Sequence, residues 1–201
     1  MAKLGVLGGS FDPVHYGHLL LAEEALEQAG LDRVIFMPTH VQPFKQDASV
    51  SPVEDRLAML SLAVGTHEKL GITTVEIDEP GVSYTIFSLR KLREEANADD
   101  SIWFILGADM FVNLHKWYLS NELLTEFSFV AGMRPGSDQA AFAYYAAKLN
   151  VTYETEIAVI ENRQFDVSST EIRQRVRERR SVRYLIPDPV REYIDAHGLY
   201  T

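Results

Sequence analysis

Gly8-Gly9-Ser10-Phe11-Asp12-Pro13-Val14-His15-Tyr16-Gly17-His18 is the stretch on which the reading of this chain turns. Before it lies Leu4-Gly5-Val6-Leu7, an apolar run of the length of a buried strand. After it, Leu19 to Ala29 is rich in Leu, Ala and Glu, with apolar residues at helical spacing. The stretch is thus a strand-to-helix handover, and in an open parallel sheet ligands bind there, outside the carboxyl end of a strand. Gly8 and Gly9 lack a Cβ, which lets the backbone turn sharply and a ligand approach its N–H groups. Asp12-Pro13 favours a turn and restricts it. His15 and His18 fall on one face of the helix's first turn. The helix N-terminus adds unpaired N–H groups and roughly half a positive charge, which favours a bound anion. Glycine backbone, helix start and two imidazoles together read as a phosphate site. A glycine turn beside two surface histidines is the plainer alternative, and it accounts for either histidine singly better than for the whole arrangement.

Outward from this stretch, strands and helices alternate. Gly30 is placed to cap the first helix. Val34 to Met37 reads as strand two, and the polar segment Thr39 to Ser51 as a loop long enough to serve a substrate. Ser51-Pro52-Val53-Glu54 has the form of a helix start, with Ser as N-cap and Glu completing a capping box. That helix carries Arg56, Leu57, Met59, Leu60 and Ala63. Thr73 to Ile77 is expected as a third strand and Ile86 to Glu95 as a helix after Ser83-Tyr84-Thr85. Ile102 to Leu106, the most apolar stretch, reads as a central strand covered on both faces. Phe127 to Ala131 and Ile157 to Ile160 complete the strands, and Gln139 to Leu149 is an alanine-rich helix. An arginine-rich helix begins at Val167-Ser168-Ser169-Thr170, and Pro187 to Ala196 closes the chain. This pattern specifies an α/β, Rossmann-like doubly wound parallel sheet with helices on both faces and a small helical C-terminal extension. The expected organisation is one domain over residues 1–201, its helical part from about 165 packed on the rest.

The 201 residues suffice for a sizeable core. With no cysteine, disulfides, thiol catalysis and cysteine-ligated metals are excluded. The net charge of −10 argues against bulk nucleic-acid binding, so an anionic substrate must be met by local positive charge. No apolar run approaches bilayer length, and strand one follows the N-terminus without the regions of a signal peptide. A cytoplasmic, non-membrane protein is the expectation.

Further polar clusters follow expected strands. Asp109 in Gly107-Ala108-Asp109 either caps the next helix or accepts hydrogen bonds from ribose hydroxyls. In Ser168-Ser169-Thr170-Glu171-Ile172-Arg173, one hydroxyl should act as N-cap, while the three together with Arg173 make an anion cradle. Among Arg173, Arg175, Arg177, Arg179, Arg180 and Arg183, only some can share a helix face, and Arg173 is the candidate phosphate contact. Trp117 in His115-Lys116-Trp117-Tyr118 is either core or a stacking plate for a flat heteroaromatic ring. No dedicated metal cage is visible.

His15-Tyr16-Gly17-His18 matches the HxGH motif of the nucleotidyltransferase superfamily, a feature similar to one in the class I aminoacyl-tRNA synthetases. The full opening run resembles that of the bacterial nicotinate-mononucleotide (nicotinate-nucleotide) adenylyltransferases, which make deamido-NAD. Ser83-Tyr84-Thr85, Gly107-Ala108-Asp109, Lys116-Trp117-Tyr118, Arg134-Pro135-Gly136 and Val167 to Arg173 occur in that family's order. Tyr184-Leu185-Ile186-Pro187 through Gly198-Leu199-Tyr200 is similar too, so the resemblance spans nearly the whole chain. It implies transfer of AMP from ATP, with Mg2+ arriving as Mg-ATP, to nicotinate mononucleotide. It also implies catalytic contacts from His15, His18 and Arg173, and an ATP site that adds Gly8, Gly9, Ser10, Phe11, Gly107, Asp109, Ser168, Ser169 and Thr170. The pyridine nucleotide would meet Lys45, Tyr84, Thr85, Trp117, Tyr118 and Arg134, with Trp117 stacking on the ring and N–H groups near Thr85 and Tyr118 holding its carboxylate. One segment departs: the family commonly carries Pro-Pro-His-Lys where this chain reads Gln42-Pro43-Phe44-Lys45. Phe44 can neither donate a hydrogen bond nor carry charge.

Three other readings stay open at this point. The acceptor could be nicotinamide mononucleotide or phosphopantetheine, although pantetheine has no ring for Trp117 to stack on. A nucleotide sensor without catalysis conflicts with intact His15, His18 and Arg173. A tRNA synthetase ranks last, because the chain is short and lacks an evident KMSKS-like loop. A homo-oligomer is left open.

Overall fold

The computed structural model describes residues 1–40, 50–65, 67–78, 83–133, 138–161 and 167–201. Strands β1 (Lys3–Gly9), β2 (Arg33–Pro38), β3 (Leu70–Ile72), β4 (Ser101–Gly107), β5 (Ser128–Met133) and β6 (Ile157–Glu161) form one sheet in the order β3-β2-β1-β4-β5-β6. Every pairing is parallel. The chain winds from β1 outward one way to β3, then returns to β4 on the other side of β1. The direction of winding therefore reverses between β1 and β4, whose carboxyl ends flank the crevice where such sheets take ligands.

The helices α1 (Tyr16–Gln28), α2 (Val53–Val64), α3 (Thr85–Glu95), α4 (Ala108–Val112), α5 (Ser120–Glu126), α6 (Gln139–Tyr153), α7 (Ser169–Arg177) and α8 (Asp188–His197) cover both faces. Strand alternation divides the core accordingly. Along β4, Trp103 and Ile105 join Leu7, Phe36, Met59, Ile172, Val190 and Ile194 on one side. Ile102, Phe104 and Leu106 join Val6, Ile86, Leu89, Phe111 and Phe129 on the other. Helices α7 and α8 thus bury Ile172, Val190 and Ile194 in the same core as α1 and α2.

Two local expectations are corrected. The third strand is Leu70–Ile72, not Thr73 to Ile77. Its three residues pair with Val34–Phe36 at the sheet edge. Beyond it the backbone turns, with Ile77 and Asp78 N–H donating to the Thr74 carbonyl and the Thr74 hydroxyl to the Asp78 carboxylate at 2.7 Å. Threonine's β-branch suggested a strand, but its hydroxyl favoured the local turn. Ser51 does not cap α2, which begins at Val53 after Pro52 with no side-chain cap. The backbone of Ser51 has other partners, described below.

Candidate active site

The sharp turn after β1 does not fall on its glycines. Gly8 and Gly9 remain in the strand, opposite Met37 and Pro38. Phe11 takes the left-handed conformation instead, with φ 48°. The glycines make room for aromatic rings: a Cβ on Gly8 would lie 3.2 Å from the Phe104 ring, and one on Gly9 would lie 3.1 Å from the Phe11 ring. Phe11 is fully buried against Phe36 and the edge of His18. Its ring is thus closed to a ligand.

Helix α1 starts three residues before the expected Leu19, so His15 is its N-cap and His18 lies in its first turn. The two imidazoles stack, with centroids 3.7 Å apart and planes at 22°. The His15 N–H donates to His18 Nδ1 at 3.3 Å. A neutral His18 ring that accepts at Nδ1 carries its proton on Nε2, which leaves that nitrogen as a donor. His15 Nδ1 is buried without a partner. Gly17 makes this seat possible, since a Cβ there would stand 3.0 Å from His15 Nδ1 and 3.3 Å from Val167 Cγ1. Burial holds the His15 imidazole down at about 4. Burial, and then His15 itself, lowers His18 well below the usual histidine range. The rings are therefore neutral donors in the free protein at pH 7. A bound polyanion would favour their protonated form.

Helix α7 is docked over the same turn. Ser168 is its N-cap and accepts from the Glu171 N–H at 3.1 Å. The Ser169 hydroxyl donates to the Pro13 carbonyl at 2.9 Å, and Arg173 Nη2 approaches Thr170 Oγ1 at 3.4 Å. Arg173 Nη1 donates to the Asp12 carbonyl at 2.6 Å and lies 3.7 Å from the Asp12 carboxylate. One of the three hydroxyls thus caps, as expected, and the other two orient the docking. Arg173 is brought onto the turn that leads to His15 while its side chain stays partly exposed. Arg175 and Arg180 turn instead to Glu171 and Glu178.

Across the crevice, Gly107 ends β4 and serves as N-cap of α4, whose first turn holds the exposed Asp109. Asp109 is therefore not itself the cap. Trp117 is half-buried and packs edge-to-face on Phe104, with centroids 5.9 Å apart. Because the Phe104 ring also fills the space over Gly8, it links the tryptophan to the switch between β1 and β4. Tyr84, the N-cap of α3, lies 4.5 Å from Tyr118, so the Tyr84-Thr85 and Trp117-Tyr118 segments meet. Lys45, Arg134 and the variant Phe44 lie outside the described residues.

The structure also brings in residues that sequence reasoning passed over. Arg56 is 1% exposed and donates through Nη1 to the Ser10 and Thr39 carbonyls, each at 2.9 Å, and through Nε to the Ser51 carbonyl at 3.1 Å. One signal was present: Arg56 occupies the apolar stripe of α2 with Met59 and Leu60. Asp12, read only as a turn former, is 2% exposed and receives hydrogen bonds from the Tyr200 hydroxyl at 2.6 Å and the Ser51 N–H at 3.3 Å. Near the start of α3, buried Glu76 accepts from the Ser88 hydroxyl at 2.7 Å.

The family model described as cytidylyltransferase-like matches residues 6–175. The nicotinate-nucleotide adenylyltransferase of Bacillus subtilis is 38% identical over 200 residues, covering 100% of this chain and 99% of that protein. The chain belongs to the nicotinate-nucleotide adenylyltransferase family. A probable member from Geobacillus thermodenitrificans is 41% identical over 202 residues, covering 100% of this chain and 87% of that protein. Among solved structures, the Plasmodium falciparum nicotinic acid mononucleotide adenylyltransferase complexed with NaAD superposes with a TM-score of 0.79 at 16% identity. That match covers 100% of this chain and 98% of the other, and it supports the fold. Within this family of nucleotidyltransferases, the stacked histidines and the docked Arg173 lie on the turn and helix that follow β1, and the Trp117 segment lies beyond the end of β4.

Proposed function

We propose that this crevice transfers AMP from ATP to the 5′-phosphate of nicotinate mononucleotide, giving nicotinate adenine dinucleotide and pyrophosphate in NAD biosynthesis. The observation that carries this reading is the convergence of the His15/His18 stack and Arg173 on the single turn at Asp12-Pro13. A phosphate oxygen of the mononucleotide attacks the α-phosphorus in line, and the bond to the pyrophosphate oxygen breaks. A phosphate monoester is already anionic near neutral pH, so the task is to hold two polyanions together and meet developing charge. The imidazole N–H groups, the start of α1 and Arg173 meet that charge. Gly8, Gly9, Ser10, the Phe11 backbone and Ser168 to Thr170 border the phosphates, and Gly107 and Asp109 face the ribose. Trp117 stacks on the pyridine, while the backbone at Thr85 and Tyr118, with Tyr84, Lys45 and Arg134, serves its nucleotide. Magnesium enters as part of the MgATP substrate, held mainly by phosphates and water.

Among the described residues no helix is long and apolar enough to cross a membrane. The reading is of a cytoplasmic enzyme, and every assigned residue comes from one chain, so it holds for a monomer or a homo-oligomer. Pyrophosphate release from MgATP, with nicotinate and nicotinamide mononucleotides compared side by side, tests it. A strong preference for the nicotinate form is expected. Equal or reversed preference moves the acceptor and directs attention to Gln42–Lys45, and silence with both overturns the reading.

A further inference from the structure

The segment after α8 reaches the active-site turn from beneath. Gly198, at φ 60°, reverses the chain, and the Leu199 N–H returns to the Ile194 carbonyl at 3.1 Å. Tyr200 then adopts φ 65°, a left-handed conformation that a residue with a bulky side chain takes at a steric cost. A strained residue persists where its surroundings over-determine it. Here the contact is the 2.6 Å hydrogen bond from the Tyr200 hydroxyl to Asp12 Oδ1. The other carboxylate oxygen, Oδ2, accepts from the Ser51 N–H at 3.3 Å and faces Arg173 Nη1 at 3.7 Å. The Asp12 carbonyl accepts directly from Arg173, and the adjacent Pro13 carbonyl accepts from Ser169. One buried residue thus joins the loop after β1, the approach to α2, the first turns of α7 and the C-terminal segment. Burial, and then the Asp12 carboxylate, push the Tyr200 phenol above its ordinary range, so it remains a donor at working pH.

We infer that Tyr200 is a positioning residue of the active site, orienting Arg173 through Asp12 without touching substrate. This rests on the reading of Arg173 as a phosphate contact. Without the hydroxyl, the Asp12 carboxylate loses its shortest donor and is free to rotate toward Arg173. The guanidinium is then drawn onto the carboxylate and away from a bound triphosphate.

Tyr200→Phe, which keeps the ring, tests this in two backgrounds. In the otherwise native enzyme kcat should fall about tenfold, the rate equivalent of roughly 1.4 kcal/mol. KM for the mononucleotide should change less than about twofold, because the loss lies on the phosphate side. In an Arg173→Ala background the same substitution should cost less than about twofold, the non-additivity expected of residues acting through one group. Asp12→Asn, approached from the other end of the bond, should show the same background dependence. Calorimetric binding of MgATP repeats the comparison without turnover: Tyr200→Phe weakens it when Arg173 is present and leaves it unchanged when Arg173 is absent. An unchanged kcat and MgATP affinity in Tyr200→Phe, or a full loss that persists without Arg173, overturns the inference. If the native enzyme turns over neither mononucleotide, the proposed reaction fails, and MgATP binding still decides the role of Tyr200. A native enzyme that fails to bind MgATP overturns both.

Discussion

Lowering the pH from 7 to 5 should cost the free protein about 2 kcal/mol of stability through His15 alone. The imidazole is 6% exposed, and burial holds its pKa at about 4 against an ordinary 6.5. Between those two values the unfolded chain takes up a proton that the folded chain refuses. Stability is therefore lost as the pH falls through 6.5, and the loss levels off below about 4. At pH 5 the folded ring is still neutral, while the solution lies about 1.5 below the ordinary value; at about 1.36 kcal/mol per pH unit this gives roughly 2 kcal/mol. Urea unfolding of the native protein and of His15→Gln, at pH 7, 6 and 5, measures it. The variant should lose at least about 2 kcal/mol less than the native protein across that interval, because removing His15 also removes its share in the lowering of His18. Saturating pyrophosphate should shrink the native loss, since a bound polyanion favours the charged rings. Parallel pH dependences for the two proteins would refute the buried, neutral His15 and the mode of phosphate contact drawn from it.

Two further substitutions probe buried groups near the crevice. Arg56→Met should destabilise by about 3–5 kcal/mol in urea unfolding, because it removes a buried cation from the Ser10, Thr39 and Ser51 carbonyls and one of the positive charges that act on Asp12; a loss below about 1 kcal/mol would show those carbonyls satisfied by water. Glu76 is 3% exposed, and burial raises its carboxyl above the ordinary 4.5, so the folded state retains a proton that the unfolded state releases and stability falls as the pH climbs past that value. Glu76→Gln, which keeps an acceptor for Ser88, should therefore melt higher than the native protein at pH 8 and converge with it near pH 4; a difference independent of pH would refute this.

Much of the fold is legible in the chain because sheet and helix leave different local periods. The Ile102 to Leu106 run announces a strand covered on both faces, and the structure divides it between two cores. The edge strand was misplaced because three residues carry too little pattern to compete with the β-branched Thr73 and Thr74. The histidine pair was legible for the same local reason: spacing within a first turn is a property of the helix itself. Its electrical state was not, since burial beside Phe11 and the opposing ring determines it.

By itself the sequence determined the alternating α/β winding, the strand-to-helix handover at Gly8 to His18, and the clusters that follow strands. Each of these depends on residues within a few positions of one another, where backbone geometry sets which side chains share a face. Only the tertiary structure decided that Phe11 makes the turn, that the glycines accommodate rings, and that Arg56, Asp12 and Tyr200 underlie the site. Arg173 meets Asp12 across 161 positions of chain, and Tyr200 meets it across 188. No local period encodes such pairings; they form because closing the sheet and docking α7 and α8 onto one core bring those positions together, and burial then makes each charge find its partner.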